Sequence, residues 1–229
     1  MKINIYRGNE CFKAEGLCVV IDVLRAFTTA AYAFSVGAKE ILLVSTAKEA
    51  FEMQREDNSL ILMGEENGRP IAGFDYGNSP DEIQRITLSG HKVVQRSSEG
   101  TQAVVKCRHA EQLMIASFVV ADATLNYIQK LSPSIVSFIV TGVENGDEDL
   151  ALAEYLQCRL FKQDVSPSSF LERVRLSPAG RTFADPNKIE FSPNDLELAL
   201  QIDRFSFAMK VEKYGSNLVA KKVNTKSCD

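Results

Sequence analysis

The chain of 229 residues has no tryptophan and two histidines, and none of its five cysteines belongs to a CxxC pair. A zinc site is therefore poorly supplied with ligands. We interpret the cysteines as reduced structural or surface thiols, with a catalytic Cys–His pair as the alternative.

The chain also lacks a net positive charge and long apolar runs. The formal net charge is -4, with 26 Lys and Arg against 30 Asp and Glu, which disfavours binding to nucleic acid. No segment approaches 18 uninterrupted apolar residues, and the first residues lack the pattern of a secretory signal. We therefore expect a cytoplasmic protein without a membrane partner.

The hydrophobic content of 45% is sufficient for a buried core. Short β-branched runs alternate with helical patterns, which predicts an α/β fold with three layers and a mostly parallel or mixed sheet. We expect one domain over residues 1–229, with two similar, interlocked subdomains (about 1–90 and 91–229) as a variant. The predicted strands are 18–24, 40–44, 60–63, 92–95, 112–118 and 135–140.

Helical patterns follow most of these runs. The predicted helices are 26–36, one capped at Ser45 or Thr46, one ending near 107, 122–131, one starting near 147, and 193–205. A hairpin over 207–223 closes the chain, 166–184 is a polar segment without an assigned element, and 64–80 is a long loop with four glycines and two prolines. Loops of that length are more often functional than idle.

Polar residues follow several predicted strands, where parallel α/β proteins bind ligands. Asp22 lies within the first apolar strand, and an unpaired carboxylate would be costly to bury there. Its partner could be Mg²⁺, which favours carboxylate oxygens, or Arg25, which also suits phosphate. A plain buried Asp–Arg pair is the alternative.

The third strand leads to Glu65 and Glu66, and the long loop then presents Asp75, Asn78 and Ser79. Small polar side chains before a proline can cap a helix whose free amides face an anion, so this segment is interpreted as a phosphate cradle. An ordinary capped helix is the alternative.

The fourth and sixth strand ends add further polar groups. The turn at 96–101 contains Ser98, Gly100 and Thr101, which could contact a phosphate or form a simple Ser-rich turn. Residues Glu144 and 147–149 supply carboxylates that could bind metal or be solvated acids of a first helical turn. Together, strand ends on one edge of one sheet point to metal-assisted phosphoryl chemistry.

Several sequence blocks give the chain a family likeness. They are VIDVLRA at 20–26 with Thr28 and Thr29, GE at 64–65, GFDYGNSP at 73–80, GT at 100–101, EDL at 148–150 and LQIDRF at 200–205. With these blocks the sequence resembles the 2-phosphosulfolactate phosphatase family, which belongs to a route related to coenzyme M.

The resemblance implies an α/β enzyme that uses Mg²⁺ to hydrolyse 2-phosphosulfolactate to 3-sulfolactate and phosphate. Asp22 and Arg25 would be the catalytic pair, and the nucleophile would be either water or the Asp22 carboxylate. The partner would be a small anionic phosphate ester, and a homodimer is the assembly considered. The candidate metal ligands are Asp22, Glu65, Asp75 and Asp149. The candidate phosphate contacts are Asn78, Ser79, Ser98, Gly100 and Thr101.

Two acidic residues depart from the family pattern. Glu66 stands where an Arg commonly follows Gly-Glu, and Glu99 lies in a turn that many members fill with Thr and Asn. Both add negative charge near a site for an anion. The alternative function is therefore a non-catalytic or diverged protein of the same fold that binds an anionic phosphometabolite.

Overall fold

The computed structural model describes residues 1–142 and 147–225. Its strands are β1 (Lys2–Arg7), β2 (Leu17–Ile21), β3 (Glu40–Val44), β4 (Ile61–Glu66), β5 (Arg69–Pro70), β6 (Lys92–Arg96), β7 (Gln112–Ala116), β8 (Ile135–Val140), β9 (Phe207–Tyr214) and β10 (Asn217–Asn224). Its helices are α1 (Ala26–Ser35), α2 (Ala47–Glu56), α3 (Pro80–Ile83), α4 (Gly100–Lys106), α5 (Ala121–Leu131), α6 (Asp147–Leu160), α7 (Ser168–Leu176), α8 (Pro178–Ala184) and α9 (Pro193–Ala199), with 3₁₀ turns at Gly8–Lys13 and Phe118–Val120.

The strands form one mixed sheet in the order β1-β8-β2-β7-β9-β10-β3-β6-β4-β5, which confirms the predicted α/β class. Strands β1, β8, β2 and β7 are mutually parallel, as are β3, β6 and β4, and the β9–β10 hairpin lies between the two sets. Each set draws strands from both sides of residue 90. The division into subdomains near that residue stays a prediction.

The hairpin reverses strand direction between the two parallel sets, because β7–β9, β9–β10 and β10–β3 all pair antiparallel. Strands β2 and β4 also stand six places apart in the sheet order. In a flat sheet their carboxyl ends would therefore lie far apart on opposite edges. The prediction that these strand ends lie on one edge of the sheet is therefore wrong, because the two parallel sets run in opposite directions.

Helix α1 explains how the ends still meet. Nine of its ten residues are buried, so this helix is enclosed on all sides rather than on one face. One hydrophobic cluster joins α1 to Val20 of β2 and also to Met63 of β4. The sheet therefore curves around α1, in keeping with the twist that strands accumulate across a wide sheet.

The other face of the sheet carries different helices. Alternate residues of β2 (Leu17, Val19 and Ile21) pack in a second cluster with α5 and α6. A third cluster joins α2 to Leu62 of β4 and Val94 of β6. Helices consequently cover both faces of the sheet.

The segment 64–80 is more regular than its composition predicted, and the expectation of an unstructured loop is corrected here. Strand β4 continues to Glu66, and β5 returns antiparallel to it. The two connecting residues, Asn67 and Gly68, have φ of +53° and +80°, which fits a two-residue hairpin turn in which both central residues need positive φ.

Other elements agree with the sequence to different degrees. The closing hairpin and the α2 cap are confirmed, with Thr46 Oγ1 accepting from the Glu49 amide. Strand β1 was not predicted, and α7 and α8 occupy the segment left without elements. Helix α9 ends at Ala199, short of the predicted 205. No helix among residues 1–142 and 147–225 is both long and apolar enough to cross a bilayer.

Replacing Phe34 by alanine tests the enclosed position of α1. Phe34 is fully buried and packs edge-to-face against Phe207, so Phe34→Ala is expected to lower the free energy of unfolding by about 3–5 kcal/mol. Urea unfolding followed by circular dichroism measures the change. Phe12 is 71% exposed, so Phe12→Ala is the matched control and should leave stability nearly unchanged. A Phe34→Ala loss no larger than that of the control would contradict the enclosure of α1.

Candidate active site

A cavity of about 430 Å³ opens at the amino-terminal end of α1, where the ends of β2, β4, β6 and β8 converge. Its wall has an acidic part and an apolar part. The acidic side chains are Asp22, Glu65, Glu99, Glu148 and Asp149. The apolar ones are Leu24, Pro178, Ala179, Phe183 and Phe191.

Asp22 follows β2 and is 6% exposed. Its Oδ1 accepts from the Ala26 amide at 2.8 Å, so the carboxylate closes the first turn of α1. Its Oδ2 accepts no hydrogen bond from the described residues and faces Gly100, where a Cβ would lie 2.5 Å from that oxygen. Gly100 therefore lets α4 approach Asp22 closely, and one carboxylate oxygen is left for a ligand.

Asp149 joins the ends of β8 and β2. Its Oδ1 accepts from the Val23 amide at 2.7 Å. Its Oδ2 accepts from the amides of Thr141 and Gly142 and from the Thr141 hydroxyl at 2.8–3.0 Å. This carboxylate fixes the backbone on one side of the cavity.

Glu65 plays the corresponding part on the other side. Its Oε1 accepts from the Ser98 amide at 2.5 Å, and its Oε2 accepts from the Gly68 amide at 2.6 Å. The Ser98 hydroxyl also donates to Oε2 at 3.2 Å. Glu65 thus ties the β4–β5 hairpin to the turn after β6, and it engages Ser98, a predicted phosphate contact.

Arg25 lines the cavity and is 7% exposed. Its Nη1 lies 2.5 Å from Oδ2 of the fully buried Asp195, and its Nη2 donates to the Gly68 carbonyl at 3.2 Å. The predicted catalytic pair is therefore brought into one cavity, but Arg25 is ion-paired with Asp195. The alternative of a plain Asp22–Arg25 ion pair is not what the structure contains.

Burial and, at Asp22 and Glu148, repulsion by a neighbouring carboxylate raise the pKa values of the acidic wall. Burial, followed by the charge of Asp149, raises the pKa of Asp22 well above its ordinary value. Burial and the same neighbour raise the pKa of Glu148 to about 8. Burial raises the pKa of Asp149 to about 6, although four hydrogen bonds to its carboxylate act in the opposite direction. These carboxylates need either protons or a bound cation.

Asn78 and Thr101 differ in what they offer a ligand. Asn78 lines the cavity and is buried, and its Oδ1 has no partner among the described residues. The Thr101 hydroxyl accepts from the Ser97 amide and donates to the Ser97 carbonyl. Asn78 is therefore available to a ligand, whereas Thr101 holds the turn before α4.

Four predicted site residues do not line the cavity: Gly100 and Thr101, which are described above, and Asp75 and Ser79. Asp75 Oδ2 accepts from the Leu62 amide at 2.7 Å, which directs its carboxylate to the backbone of β4. Ser79 caps α3 and donates to Asp195 Oδ1 at 2.7 Å. Asp75 is thus not among the cavity carboxylates, and Ser79 is separated from the cavity by Asp195.

Glu66 and Glu99, the two acidic residues that depart from the family pattern, lie in different places. Glu66 pairs with Arg96 at 2.9 Å and lies outside the cavity. Glu99 lines the cavity, and burial, with a contribution from Glu65, raises its pKa. Glu144 lies outside the described residues.

Sequence reasoning did not single out Asp195, Phe183 and Phe191, and it did not select Glu148 above its acidic neighbours. Asp195 follows a Ser-Pro helix start at α9, a signal that predicts a cap rather than a site. Phe183 lies within the polar segment 166–184, for which the sequence predicts no element, and Phe191 follows that segment. Their proximity to Arg25 depends on how α8 and α9 pack.

The donor set fits a hard divalent cation. No group of three Asp, Glu, His or Cys side chains in the described residues is already spaced to hold a metal ion. Mg²⁺ is usually held by one or two carboxylates together with water and substrate phosphate, so it does not require such a group. The free Asp22 oxygen among repelling carboxylates meets that lesser requirement.

Comparison with known proteins gives consistent matches. A family model described as 2-phosphosulpholactate phosphatase matches residues 5–213. A Bacillus subtilis protein named "Probable 2-phosphosulfolactate phosphatase" is 35% identical over 218 residues, covering 94% of this chain and 96% of the relative. Proteins of the same name from Carboxydothermus hydrogenoformans and Thermotoga maritima are 39% identical over 167 residues and 35% identical over 147 residues. These matches cover 71% and 64% of this chain, and 69% and 63% of the two relatives.

The crowded carboxylates predict how stability depends on pH in metal-free protein. Because the folded-state pKa of Glu148 is about 8 against an ordinary 4.5, its ionisation favours unfolding. The contribution of Glu148 to the free energy of unfolding should therefore be most favourable below about pH 4.5. It should fall as the pH rises towards about 8. Each unit of pKa difference corresponds to about 1.4 kcal/mol.

Urea unfolding in EDTA near the two ends of that range measures the effect. Glu148→Gln cannot ionise and should show a smaller fall in stability between them. Glu154 lies on the same helix and pairs with Arg173, so Glu154→Gln is the control and should keep the full pH-dependent fall. An equal fall in wild type and Glu148→Gln would be evidence against ionisation of this side chain as the cause.

Proposed function

Because the chain belongs to the 2-phosphosulfolactate phosphatase family, we propose that it is a Mg²⁺-dependent phosphoric monoester hydrolase that converts 2-phosphosulfolactate to 3-sulfolactate and phosphate. The observation that carries the proposal is the convergence of Asp22, Arg25 and Asn78 in one cavity with several buried carboxylates. The same cavity therefore has a carboxylate oxygen available to a cation and N–H groups available to an anion.

Asp22 is the proposed principal ligand for the ion, with a second carboxylate from Glu65 or Asp149. The charge balance supports this assignment, since an anionic ester would otherwise enter a cavity already crowded with carboxylates. When bound, Mg²⁺ would neutralise charge on the phosphate and make phosphorus more susceptible to attack.

Arg25 and Asn78 would orient the ester. A guanidinium can donate two parallel hydrogen bonds to phosphate oxygens, and Arg25 is held at the cavity wall. The Asn78 amide nitrogen can donate to the same group, while its unpaired Oδ1 can accept from the substrate or from water.

Glu148 is the proposed proton donor to the departing 2-oxygen. A carboxyl group with a pKa of about 8 is largely protonated near neutral pH, which suits a general acid. Glu148 lines the cavity, so its proton lies within the site that would receive the ester.

Release of phosphate with Mg²⁺ is the direct test. We expect the purified protein to release phosphate from 2-phosphosulfolactate in Mg²⁺ and not in EDTA, and to prefer it within a panel of phosphate monoesters. Asp22→Asn and Arg25→Gln should each lower kcat/KM by about 10²-fold or more, because each removes a charged contact to the reacting group. Asp57 is exposed at the end of α2, so Asp57→Asn is the control and should retain activity.

If the protein preferred a different ester in the panel, the proposed substrate would change and the proposed enzyme class would stand. If no ester released phosphate above the EDTA control, the hydrolase proposal would be overturned. Glu99 in the cavity wall favours the second candidate, a protein that binds an anionic metabolite without turnover.

Water is the proposed nucleophile, since Asp22 is committed to the cation and is not free to attack phosphorus. Direct attack by water inverts the configuration at phosphorus and leaves no phosphate on the protein. We therefore expect inversion with a chiral phosphate ester and no acid-stable label from ³²P-substrate. Retention, with a labelled protein that is lost in Asp22→Asn, would instead identify Asp22 as the nucleophile.

A further inference from the structure

The guanidinium of Arg25 is held from three directions. Its Cζ lies 5.1 Å from the ring centroid of Phe183 and 5.5 Å from that of Phe191, within the range of cation–π attraction. Asp195 pairs with Nη1, and Nη2 donates to the Gly68 and Glu190 carbonyls at 3.2 and 3.5 Å. These contacts restrict both the position and the plane of the guanidinium.

Asp195 is itself fixed by a second set of contacts. Its Oδ1 accepts from the Ser79 hydroxyl at 2.7 Å and from the Asp81 amide at 3.0 Å. Its position in the first turn of α9 also suits a carboxylate, because the amino-terminal end of a helix carries partial positive charge. With no exposed surface, the Asp195 carboxylate connects α3, α9 and Arg25.

Arg25 still has donors to offer. A guanidinium carries five N–H groups, and the three acceptors found in the described residues account for three of them. Since Arg25 lines the cavity, the remaining N–H groups are the ones that a ligand there can use.

We infer that Asp195 is a positioning residue that holds Arg25 in the orientation needed to bind the phosphate of the substrate. The inference rests on the proposed function. Asp195 does not line the cavity described above and acts only through Arg25. Ser79 supports this arrangement by donating to Asp195, which gives it a part different from the phosphate contact expected of it.

The physical reason lies in the length of the arginine side chain. An unrestrained arginine samples many rotamers, and binding a ligand must then restrict it at an entropic cost. An error of about 1 Å in the position of a reacting group can lower the rate by about 10²-fold. An arginine fixed in advance by Asp195 avoids both losses.

Asp195→Asn tests the inference, because it keeps the shape of the side chain and removes its charge. We expect kcat/KM to fall by about 10²-fold, mainly through a higher KM, and the affinity for inorganic phosphate in the presence of MgCl₂ to fall in parallel. In an Arg25→Gln background the same change should cost less than about threefold, since an interaction already lost cannot be lost twice.

Glu197 supplies the matched control. It lies on the same helix, and its carboxylate forms an ion pair with Arg175 at 2.6 Å. Neither residue lines the cavity. Glu197→Gln should leave both kcat/KM and phosphate affinity unchanged. Circular dichroism and urea unfolding establish the folded fraction of each variant, so that activities are compared per folded molecule.

Ser79→Ala is the second variant, in case Asp195→Asn does not fold. It removes one donor to Asp195 and keeps the ion pair, so a smaller loss of phosphate affinity in the same direction is expected.

Unchanged kcat/KM and phosphate affinity in folded Asp195→Asn, or in Ser79→Ala where the former does not fold, would overturn the inference. Full additivity with Arg25→Gln would also overturn it. If wild type binds phosphate but hydrolyses no ester, the proposed function fails, while the phosphate affinities still test Asp195. If wild type neither binds phosphate nor releases it from any ester, both are overturned.

Discussion

The burial of several carboxylates in one cavity is the constraint on which the structure of this site depends. Asp22, Glu148 and Asp149 lie in one cavity with Glu65, and burial raises the pKa of the first three above the ordinary range, with the charge of Asp149 adding to the shift at Asp22 and Glu148. Such an arrangement costs free energy unless protons or a cation compensate for it. The proposed Mg²⁺ would supply that compensation, and in the proposed reaction the same ion would neutralise charge on the phosphate.

Some of the same carboxylates hold the site together, because they accept hydrogen bonds from backbone amides of different elements. Asp149 accepts backbone amides from the ends of β2 and β8, and Glu65 does so for the β4–β5 hairpin and the turn after β6. Asp22 in turn closes the first turn of α1. Curvature of the sheet around the enclosed α1 brings these three carboxylates into a single cavity, although they follow strands of the two parallel sets, which run in opposite directions.

Much of the site could be predicted from the sequence because strand–helix alternation exposes polar residues at strand ends. Asp22, Arg25, Glu65 and Asn78 were predicted from their positions after strands. Asp149 was selected through the family resemblance. All five line the cavity. The reason given, a common sheet edge, was wrong, because the reversal by the β9–β10 hairpin depends on long-range pairing. Asp75 and Ser79 were misjudged since local patterns do not show which way a loop side chain points. Asp195 and the Phe183–Phe191 pair depend on helix packing that leaves no local signal.

The measurement closest to the central claim is calorimetric titration of the metal-free protein with Mg²⁺ near neutral pH, in buffers of different ionisation enthalpy. The Asp22 carboxyl group, whose pKa is raised by burial and by the charge of Asp149, must lose its proton when a cation joins it. The account predicts one Mg²⁺ site, net proton release on binding, and loss of that site in Asp22→Asn. Absence of Mg²⁺ binding, or equal binding by Asp22→Asn without proton release, would contradict it.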